Sequence, residues 1–412
     1  MAEDYQNSWF NSGLVDPITG ALRTVNSGTS STSAAVEGID PGGRARVSQL
    51  TTLFDGKTLD VDDDRIWENV GTGTAVFSTN QTALSVAIGE YLVRRGRYKC
   101  PYASGKPTIV EFTADNIDAD PGFLNMVGYF SSVNVAPYDS NYDGFWLENN
   151  GGQIAIKAFR SGTPTMSINF EDWTNYGLLQ DYNWSNFTVG FFDFLWLGGT
   201  GLRLFIKTDM GFILAHEEPW AGNAQGTFID SPCHSVRYEI RSTTGTGQMN
   251  AICSQVATEG AIEQIGKSFT LPITDAVTTN SVGTIYALKG MKIRSGRENI
   301  PIKISSASIV NTTGNDFGIV MVYRNPVLSS ALSYSDSGNV QAGVGDGTQL
   351  VTSGDPIAAA PAAETGIATD LENNFLSFIG ADIDGNSDEY VLAYMPTSSN
   401  QSVRAIFSGK EF

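Results

Sequence analysis

Cysteine and histidine are scarce in this 412-residue sequence, which has three cysteines and two histidines. Cys100, Cys233 and Cys253 are odd in number and never form a Cys-x-x-Cys pair, so neither a disulfide framework nor a zinc site is predicted. We expect them to be buried thiols. His216 and His234 lie in strand-like segments with no serine or cysteine nucleophile arranged around them. Nucleophilic hydrolysis, a cofactor and a bound metal are therefore not expected.

Basic residues are also few. The sequence has 25 Lys and Arg and 44 Asp and Glu, which give a formal net charge of -19. A chain this acidic repels phosphates, so nucleic acid is not an expected partner. The dense basic cluster RRGRYK, Arg94–Lys99, has charges that alternate between the two faces of a strand. We expect it to pair with acidic side chains of this chain or of a neighbouring one.

Long apolar runs are missing as well. The longest, Phe187–Leu197, contains Asp193 and ends in glycines, short of the roughly 20 residues that a membrane-spanning helix needs. The first residues, MAEDYQNSWFNSG, are acidic and polar where a secretion signal has a basic start and an apolar stretch. We expect a protein that is made in the cytoplasm and is not inserted into a membrane.

The sequence is rich in glycine, with 44 residues, and it combines abundant Thr, Ser and Asn with a charged fraction of 17%. This composition is typical of all-β proteins with many short turns. Leu84, Val86 and Ile88 recur at every second position after the polar stretch STNQT, which predicts an antiparallel hairpin. Further short strands, each bounded by Gly, Asn, Asp or Pro, follow in the rhythm of a β-sandwich or jelly roll.

Three regions can be distinguished along the chain. Residues 1–53 lack a repeating apolar period, include the tract VNSGTSSTSAAVEGIDPGG and are typical of an extended arm that needs a surface to lie on. Residues 54–262 are predicted to form a jelly-roll β-sandwich. Residues 263–412 are predicted to form a second, C-terminal β-sandwich, with strands in GTIYALKGMKIRS, IPIKISSASIVN, DFGIVMVYRN, EYVLAYMPTS and SVRAIFSG. Within it, the Gly- and Ala-rich residues 332–368 are expected to form a protruding loop or an arm packed on a neighbour.

Aromatic residues are concentrated between Asn186 and Glu218. Both faces of the strand in VGFFDFLWLG are apolar, one with Phe192, Phe194 and Trp196 and the other with Phe191, Leu195 and Leu197. Such a strand must be covered on both sides, either as a central strand or at a contact between sheets or subunits.

The following segment, GLRLFIK, is predicted to be a strand with one buried and one solvated face. Its buried face holds Leu202, Leu204 and Ile206, and its solvated face holds Arg203 and Lys207. The stretch TDMG then closes a hairpin, because Gly211 is able to adopt the positive φ that such a turn requires.

A candidate glycan-binding site lies in YDSNYDGFW. Tyr138, Tyr142, Asp143 and Trp146, together with Trp220, provide aromatic rings that stack on sugars and polar groups that bind hydroxyls. The alternative is a turn anchored by its own aromatic side chains.

Paired carboxylates for glycoside hydrolysis are not apparent, since these would need to lie on one face of a strand, as in Glu-x-Asp-x-Glu. Glu171 and Asp172, and likewise Glu217 and Glu218, are adjacent and point to opposite faces, while Asp193 stands alone. We therefore predict no catalytic residues and no enzymatic activity.

Two further motifs resemble ligand-binding loops. DIDGNSDE, Asp382–Glu389, is similar to a calcium loop but lacks the order and the final Glu of an EF-hand, so a turn between strands is expected. GGTGLR leads into a strand instead of a helix, which argues against a phosphate-binding loop.

Several motifs in this order resemble a family of virion structural proteins of tailed bacteriophages, which has relatives in large DNA viruses. They are RYKCPYASGKP, DFLWLGGTGLRLFI followed by HEEPWAGNAQGTFIDSP, VRYEIRST, and ICSQVATEGA. The resemblance implies a concanavalin-like or jelly-roll domain in a head decoration, fibre, spike or neck protein of the virion, without catalytic residues. Residues 1–53 and 332–368 depart from it, so the position on the particle stays open.

The two-faced apolar strand and the arm lead us to expect a symmetric homo-oligomer, a homotrimer, whose partners are its own copies and other virion proteins. The alternative function is a host-glycan-binding adhesin, which would use the five candidate residues for receptor binding.

Overall fold

The computed structural model describes most of the chain after the predicted arm. The described residues are 40–41, 49–57, 62–117, 121–196, 201–222, 226–260, 266–313, 317–354, 356–362, 367–370 and 378–412. The expected arm, residues 1–53, lies outside them except for 40–41 and 49–53. Helical structure in the described chain consists of a 3-10 turn, Phe170–Asp172, and the single-turn helix α1, Tyr176–Leu179. Neither segment is long enough to cross a membrane.

Antiparallel strands form nearly all of the regular structure in the described residues, which confirms the all-β prediction. The first fifteen strands are β1 (Leu50–Asp55), β2 (Trp67–Gly71), β3 (Thr74–Ser78), β4 (Gln81–Val86), β5 (Tyr91–Gly96), β6 (Thr108–Asp115), β7 (Phe123–Ser131), β8 (Asp143–Asn150), β9 (Gln153–Arg160), β10 (Thr163–Asn169), β11 (Thr188–Leu195), β12 (Gly201–Thr208), β13 (Gly211–Pro219), β14 (Val236–Ser242) and β15 (Gly247–Glu259).

These strands build two sheets. In the described chain the first has eight strands in the order β13-β12-β11-β6-β15-β4-β3, with β1 also paired to β15, and the second has seven in the order β10-β9-β8-β7-β14-β5-β2. Their inward faces share one apolar core, as in a jelly-roll sandwich. Strand β1 extends across position 53, so Leu50–Leu53 belong to the first sheet although the sequence assigned them to the arm.

The predicted hairpin of β3 and β4 is present. Asn80 in its turn has φ 68°, a left-handed conformation that Asn tolerates better than most residues. Leu84 and Val86 are buried as expected. Ile88 follows the end of β4 and is exposed, so the alternation ends one step earlier than predicted.

Strand β11 is a central strand, paired with β6 on one side and β12 on the other. On its inner face Phe192 and Phe194 are fully buried, with ring centroids 5.1 and 4.9 Å from that of Phe145. On its outer face Phe191 stacks on Phe205 of β12 at 4.7 Å. Both faces are thus covered within a single chain, so this strand does not by itself require a partner subunit.

Strand β12 departs from the prediction of one solvated face. Leu202, Leu204 and Ile206 are buried as expected, but Arg203 is only 8% exposed on the opposite face. It pairs there with Asp193, its cross-strand neighbour, at 2.5 Å. Lys207, near the end of the strand, is exposed as predicted. The hairpin to β13 is confirmed.

The C-terminal unit also consists of strands, and it contains those predicted. They are β16 (Lys267–Thr270), β17 (Val277–Thr279), β18 (Tyr286–Ile293), β19 (Ile302–Asn311), β20 (Gly318–Arg324), β21 (Val327–Leu328), β22 (Ser333–Ser337), β23 (Val340–Val344), β24 (Val351–Ser353), β25 (Pro356–Ala362), β26 (Ile367–Asp370), β27 (Tyr390–Pro396) and β28 (Gln401–Glu411).

The five-stranded sheet around β28-β19 and the six-stranded sheet β22-β23-β18-β27-β20-β25 of the described chain enclose a second core. The expectation of a loop at 332–368 is wrong, because this segment supplies β22 to β26. Its glycines and alanines are compatible with strands here because β23 and β25 pair with β18 and β20, which are internal strands of the six-stranded sheet.

The two units meet at a polar junction. Asp388 accepts hydrogen bonds from Arg97 Nη2 at 2.8 Å and from Arg324 Nη2 at 2.9 Å. Beside them, the ring of Phe378 stacks on Tyr98 with a centroid separation of 5.6 Å. The other acids of the calcium-like segment also accept hydrogen bonds from protein donors, Asp382 from Asn386, Asp384 from Tyr138 and Glu389 from Tyr334.

Candidate functional site

Two of the five candidate glycan-binding residues, Tyr142 and Trp146, lie on the outer face of the seven-stranded sheet. Tyr142 immediately precedes β8, and Trp146 lies within that strand. Side chains alternate along β8, so Phe145 and Leu147 enter the core while Trp146 and Glu148 face outward. The sheet, and not a flexible loop, positions these side chains.

Trp146 is almost fully buried, with 1% of its surface exposed. Its ring lies 4.9 Å from Phe130, 5.1 Å from Phe159 and 5.3 Å from Tyr142. Gly128 in β7 faces Trp146 across the sheet, and a Cβ on this glycine would approach the Trp146 Cα to 2.5 Å. The absence of a side chain at 128 therefore lets β7 approach β8 closely at Trp146.

A cleft of about 310 Å³ opens beside this aromatic cluster. Tyr142 and Phe159 are half-buried in its wall, whereas Asp139 and Asn141 are exposed at its edge. Because Trp146 lies beneath Tyr142 and Phe159, the aromatic surface available to a ligand belongs mainly to the latter two.

Next to the cleft, three charged residues of β14 form an Arg–Glu–Arg triad: Arg237, Glu239 and Arg241. Arg237 Nη2 donates to Glu239 Oε2 at 2.6 Å, and Arg241 Nε donates to Glu239 Oε1 at 2.5 Å. Tyr142 Oη donates to the same Oε1 at 3.0 Å. The Glu239 side chain is 0% exposed, so its charge is neutralised by donors of this chain without contact with solvent.

Residues 132–142, the covering loop, close this face of the sheet. Arg237 Nη2 donates to the Tyr138 carbonyl at 3.0 Å, and Arg241 Nη2 donates to the Pro137 carbonyl at 2.6 Å. Tyr138 Oη in turn donates to Asp384 of the C-terminal unit at 2.8 Å. The loop is therefore held from below by the triad and from the side by the second unit.

The electrostatics of the triad keep its members in their paired states. Burial, followed by the negative charge of Glu239, raises the pKa of Tyr142 above its ordinary value, so the phenol remains a donor. Burial acts against the charge on Arg241, but the Glu239 carboxylate outweighs it and raises the pKa of the guanidinium.

The sheet register brings two carboxylates to the same face. Glu148 of β8 and Glu239 of β14 are both aligned with Met126 of β7. Two strand spacings place their Cα atoms roughly 9–10 Å apart, and two carboxylates on one face of a sheet are the arrangement from which glycoside hydrolysis can be built. However, both Glu239 oxygens already accept hydrogen bonds, and Glu148 Oε2 accepts one from Trp146 Nε1 at 3.0 Å. These carboxylates serve the packing of the sheet.

Asp143 and Trp220 do not line the cleft beside Tyr142 and Phe159. Asp143 accepts backbone hydrogen bonds from Asp230 at 2.8 Å and Ser231 at 3.0 Å, and it lies 3.1 Å from His234 Nε2. Burial lowers the pKa of His234, although Asp143 acts against this shift. Asp143 thus secures a turn and lines a neighbouring cleft of about 480 Å³.

Trp220 is separate from both clefts as far as the described lining residues show. Its Nε1 donates to the Gly226 carbonyl at 2.7 Å, and its ring lies 6.2 Å from that of Phe228 in an edge-to-face arrangement. Of the five candidates, Tyr142 and Trp146 therefore share one site.

The scarce cysteines and histidines occupy ordinary structural positions. Cys100 is buried as expected, but Cys233 and Cys253 are partly exposed, so the prediction of three buried thiols is wrong for two of them. His216 Nδ1 accepts a hydrogen bond from the Thr174 backbone at 3.2 Å.

Sequence reasoning missed the triad, although a signal was present. In VRYEIRS the residues Arg237, Glu239 and Arg241 occupy alternate positions, which places all three on one face of a strand. An acid flanked in this way by two arginines indicates an internal ion-pair network.

The basic cluster at Arg94–Lys99 pairs largely as expected. Arg94 bonds to Asp62 at 2.7 Å and Arg95 to Glu68 at 2.9 Å, so acids of the same chain provide the partners.

The fold is thus a jelly-roll β-sandwich whose outer face is closed by its own chain, followed by a second β unit. No protein-family model matches the chain, and no curated protein matches it by sequence. Among solved structures, a legume lectin-like domain from Entamoeba histolytica aligns over 52% of this chain and 100% of that chain, with 12% identity and a TM-score of 0.34.

A β-glucanase of Bacillus licheniformis aligns over 51% of this chain and 100% of its own, with 12% identity and a TM-score of 0.33. The exoplasmic/lumenal domain of VIP36, in a form bound to Ca²⁺ and Man3GlcNAc, aligns over 52% of this chain and 92% of its own, with 9% identity and a TM-score of 0.35. Likeness at this level assigns neither a ligand nor a residue role to this chain.

Proposed function

We propose that this protein is a non-enzymatic structural subunit of a bacteriophage particle, such as a head decoration, fibre, spike or neck component. The observation that supports this proposal is the closed outer face of the seven-stranded sheet. Glu239 is neutralised by two arginines there, and the covering loop, which Tyr138 joins to the second unit, is bonded to Arg237. A face built in this way serves as a rigid wall.

Such a subunit works in an assembly, and we propose a homotrimer. Strand β3, with the sequence TAVFS, is an edge strand of the described eight-stranded sheet; it carries no charge, and Val76 is 58% exposed on it. The free backbone groups of an uncharged edge are a template for pairing with another chain. Strand β3 is therefore the proposed contact with a second copy.

Native mass spectrometry of the purified full chain tests this proposal. A mass of three times 44.2 kDa is expected, and Val76→Lys should shift it to the monomer because a lysine on an edge strand blocks pairing. Val135→Lys, at a loop position that is 71% exposed, is the matched control and should leave the trimer intact. A folded monomer for the unmodified chain would exclude the homotrimer.

Placement on the particle requires a separate measurement. Antibodies raised against the purified chain should label virions of the phage that encodes it, at symmetric positions visible by electron microscopy. Labelling that appears only in lysate fractions free of particles would contradict a virion role.

A second candidate, a host-glycan adhesin, is favoured by the cleft of Tyr142 and Phe159, whose edge carries Asp139 and Asn141. Half-buried aromatic rings next to polar groups suit a sugar. Asp139→Ala should abolish glycan-array binding, while Asp209→Ala, an exposed change in the β12–β13 turn, should not. If no glycan binds to the unmodified chain, this candidate is excluded.

A further inference from the structure

A small cavity lies at the junction between the first sandwich and the C-terminal unit. Its volume is about 50 Å³, and it is lined from one side by Arg95, Arg97, Lys99 and Arg237 and from the other by residues that include 379 and 381–383. At 10–15 Å³ for each water, this space holds roughly three to five waters, or one tetrahedral oxyanion of similar size.

The four cations in this wall are not equally paired. Arg95 has Glu68 at 2.9 Å, Arg97 has Asp388 at 2.8 Å, and Arg237 has Glu239 at 2.6 Å. Lys99 is 8% exposed, and no hydrogen-bond acceptor or acidic partner is found for its ammonium among the described residues. Because an unpaired buried charge is costly, Lys99 is the member of the group that lacks a counter-charge.

Two further donors at this cavity also lack acceptors. Arg97 Nε and Arg237 Nε are buried without a hydrogen-bond partner in the described part of the chain. Two carboxylates line the cavity too, but both are engaged in turns. Asp382 accepts from the Asn386 backbone at 2.6 Å, and Glu298 accepts from the Gly296 backbone at 2.8 Å.

We propose that this cavity binds a small inorganic oxyanion of the sulfate or phosphate type, with the Lys99 ammonium as its counter-charge. The anion supplies oxygen acceptors where the lining side chains have spare donors. Since the cavity is walled by both units, a bound anion also ties them together, a role that is independent of the proposed place on a particle.

The proton equilibrium of Lys99 fits this assignment. Burial, followed by the positive charges of Arg95 and Arg237, lowers the pKa of Lys99 to about 7, while Asp143 and Cys233 act in the opposite direction. A bound anion would favour the charged ammonium, so binding should weaken as the pH rises above this value.

Thermal unfolding of the full chain in a chloride buffer, with sulfate added at constant ionic strength, provides the test. The Tm of the unmodified protein should rise with the logarithm of the sulfate concentration, by about 3 °C once sulfate exceeds its Kd by about 100-fold. Lys99→Met should remove this rise, and its Tm without sulfate should equal or exceed that of the unmodified protein because a buried unpaired charge is gone. Lys267→Met, at an exposed position, is the control and should respond normally.

Equal sulfate responses of the unmodified protein and Lys99→Met would reveal a bulk salt effect and overturn the proposal, as would the lack of any response. If Lys99→Met does not fold, isothermal titration calorimetry of the unmodified protein with sulfate decides. One saturable site per chain supports the proposal, and the absence of saturable binding refutes it.

Discussion

At the scale of single residues, Glu239 is the buried carboxylate that pairs with both arginines on the outer face of the sheet. Glu239→Gln keeps the shape but leaves the buried Arg237 without its carboxylate partner, and leaves Arg241 with the more exposed Asp139 at 3.8 Å. We expect the free energy of unfolding to fall by about 3–5 kcal/mol, the usual cost of breaking a buried pair. Urea denaturation measures it.

Glu171→Gln is the control for that experiment, because Glu171 is exposed in the 3-10 turn and should change stability by no more than about 0.5 kcal/mol. A similar small change for Glu239→Gln would show that the triad contributes little.

Lys99 makes the free energy of unfolding depend on pH. Its pKa is about 7 in the folded protein and 10.5 for an ordinary lysine, so between these values the unfolded chain binds more protons. The free energy of unfolding should therefore rise from pH 7 to pH 10.5 relative to that of Lys99→Met. Denaturation in sulfate-free buffer across this range checks it, and parallel profiles would contradict a lowered pKa.

At the scale of elements, close packing of β7 against β8 requires glycine. Gly128→Ala would bring a Cβ to 2.3 Å from the Phe145 carbonyl oxygen, so the two strands must separate. We expect a loss of about 1–3 kcal/mol in the free energy of unfolding, as for other overpacked sites.

Gly177→Ala is the matched substitution, since a Cβ at Gly177 in α1 meets no atom within 4 Å. It should be neutral or slightly stabilising because alanine favours helix. If both variants unfold at the same denaturant concentration, the tight strand contact is not a constraint.

Where alternation was strong, the sequence was sufficient to predict the elements. Leu202, Leu204 and Ile206 located β12, and Gly211 located the hairpin that follows it. The strands within 332–368 were not predicted because glycine and alanine carry no alternating apolar pattern. They form strands because neighbouring strands offer an edge, which is a tertiary effect.

The site was less predictable than the fold. Aromatic and polar residues near Trp146 suggested a sugar-binding loop, but local sequence does not reveal that Phe130 and Phe159 from other strands bury the indole. The pairing of Tyr138 with Asp384, 246 residues away, is equally invisible to a local pattern.

At the scale of the whole molecule, Asp388 joins the two units. Its carboxylate bridges Arg97 and Arg324, so Asp388→Asn should weaken the junction and lower the free energy of unfolding by about 3–5 kcal/mol. Calorimetry should then show the two units melting in separate transitions. Asp209→Asn, exposed in a turn, should leave the melting profile unchanged.

Acid should have the same effect on the unmodified protein. Burial raises the pKa of Asp388, but Arg324 and Arg97 outweigh this and lower it below the ordinary 3.8. The stabilisation is therefore complete above pH 3.8 and is lost as the pH falls through the lower folded value. The difference between Asp388→Asn and the unmodified protein should shrink over that range.

The glycine–aromatic pairs across β7 and β8 have an evolutionary consequence. Gly128 faces Trp146 and Gly144 faces Phe130, so each aromatic residue stands opposite a glycine on the neighbouring strand. A side chain at either glycine would meet backbone atoms of the facing strand, at 2.3 Å from a carbonyl oxygen in both cases, and a smaller ring opposite does not remove that contact. Homologous chains should therefore keep both glycines even where the facing aromatic residue changes.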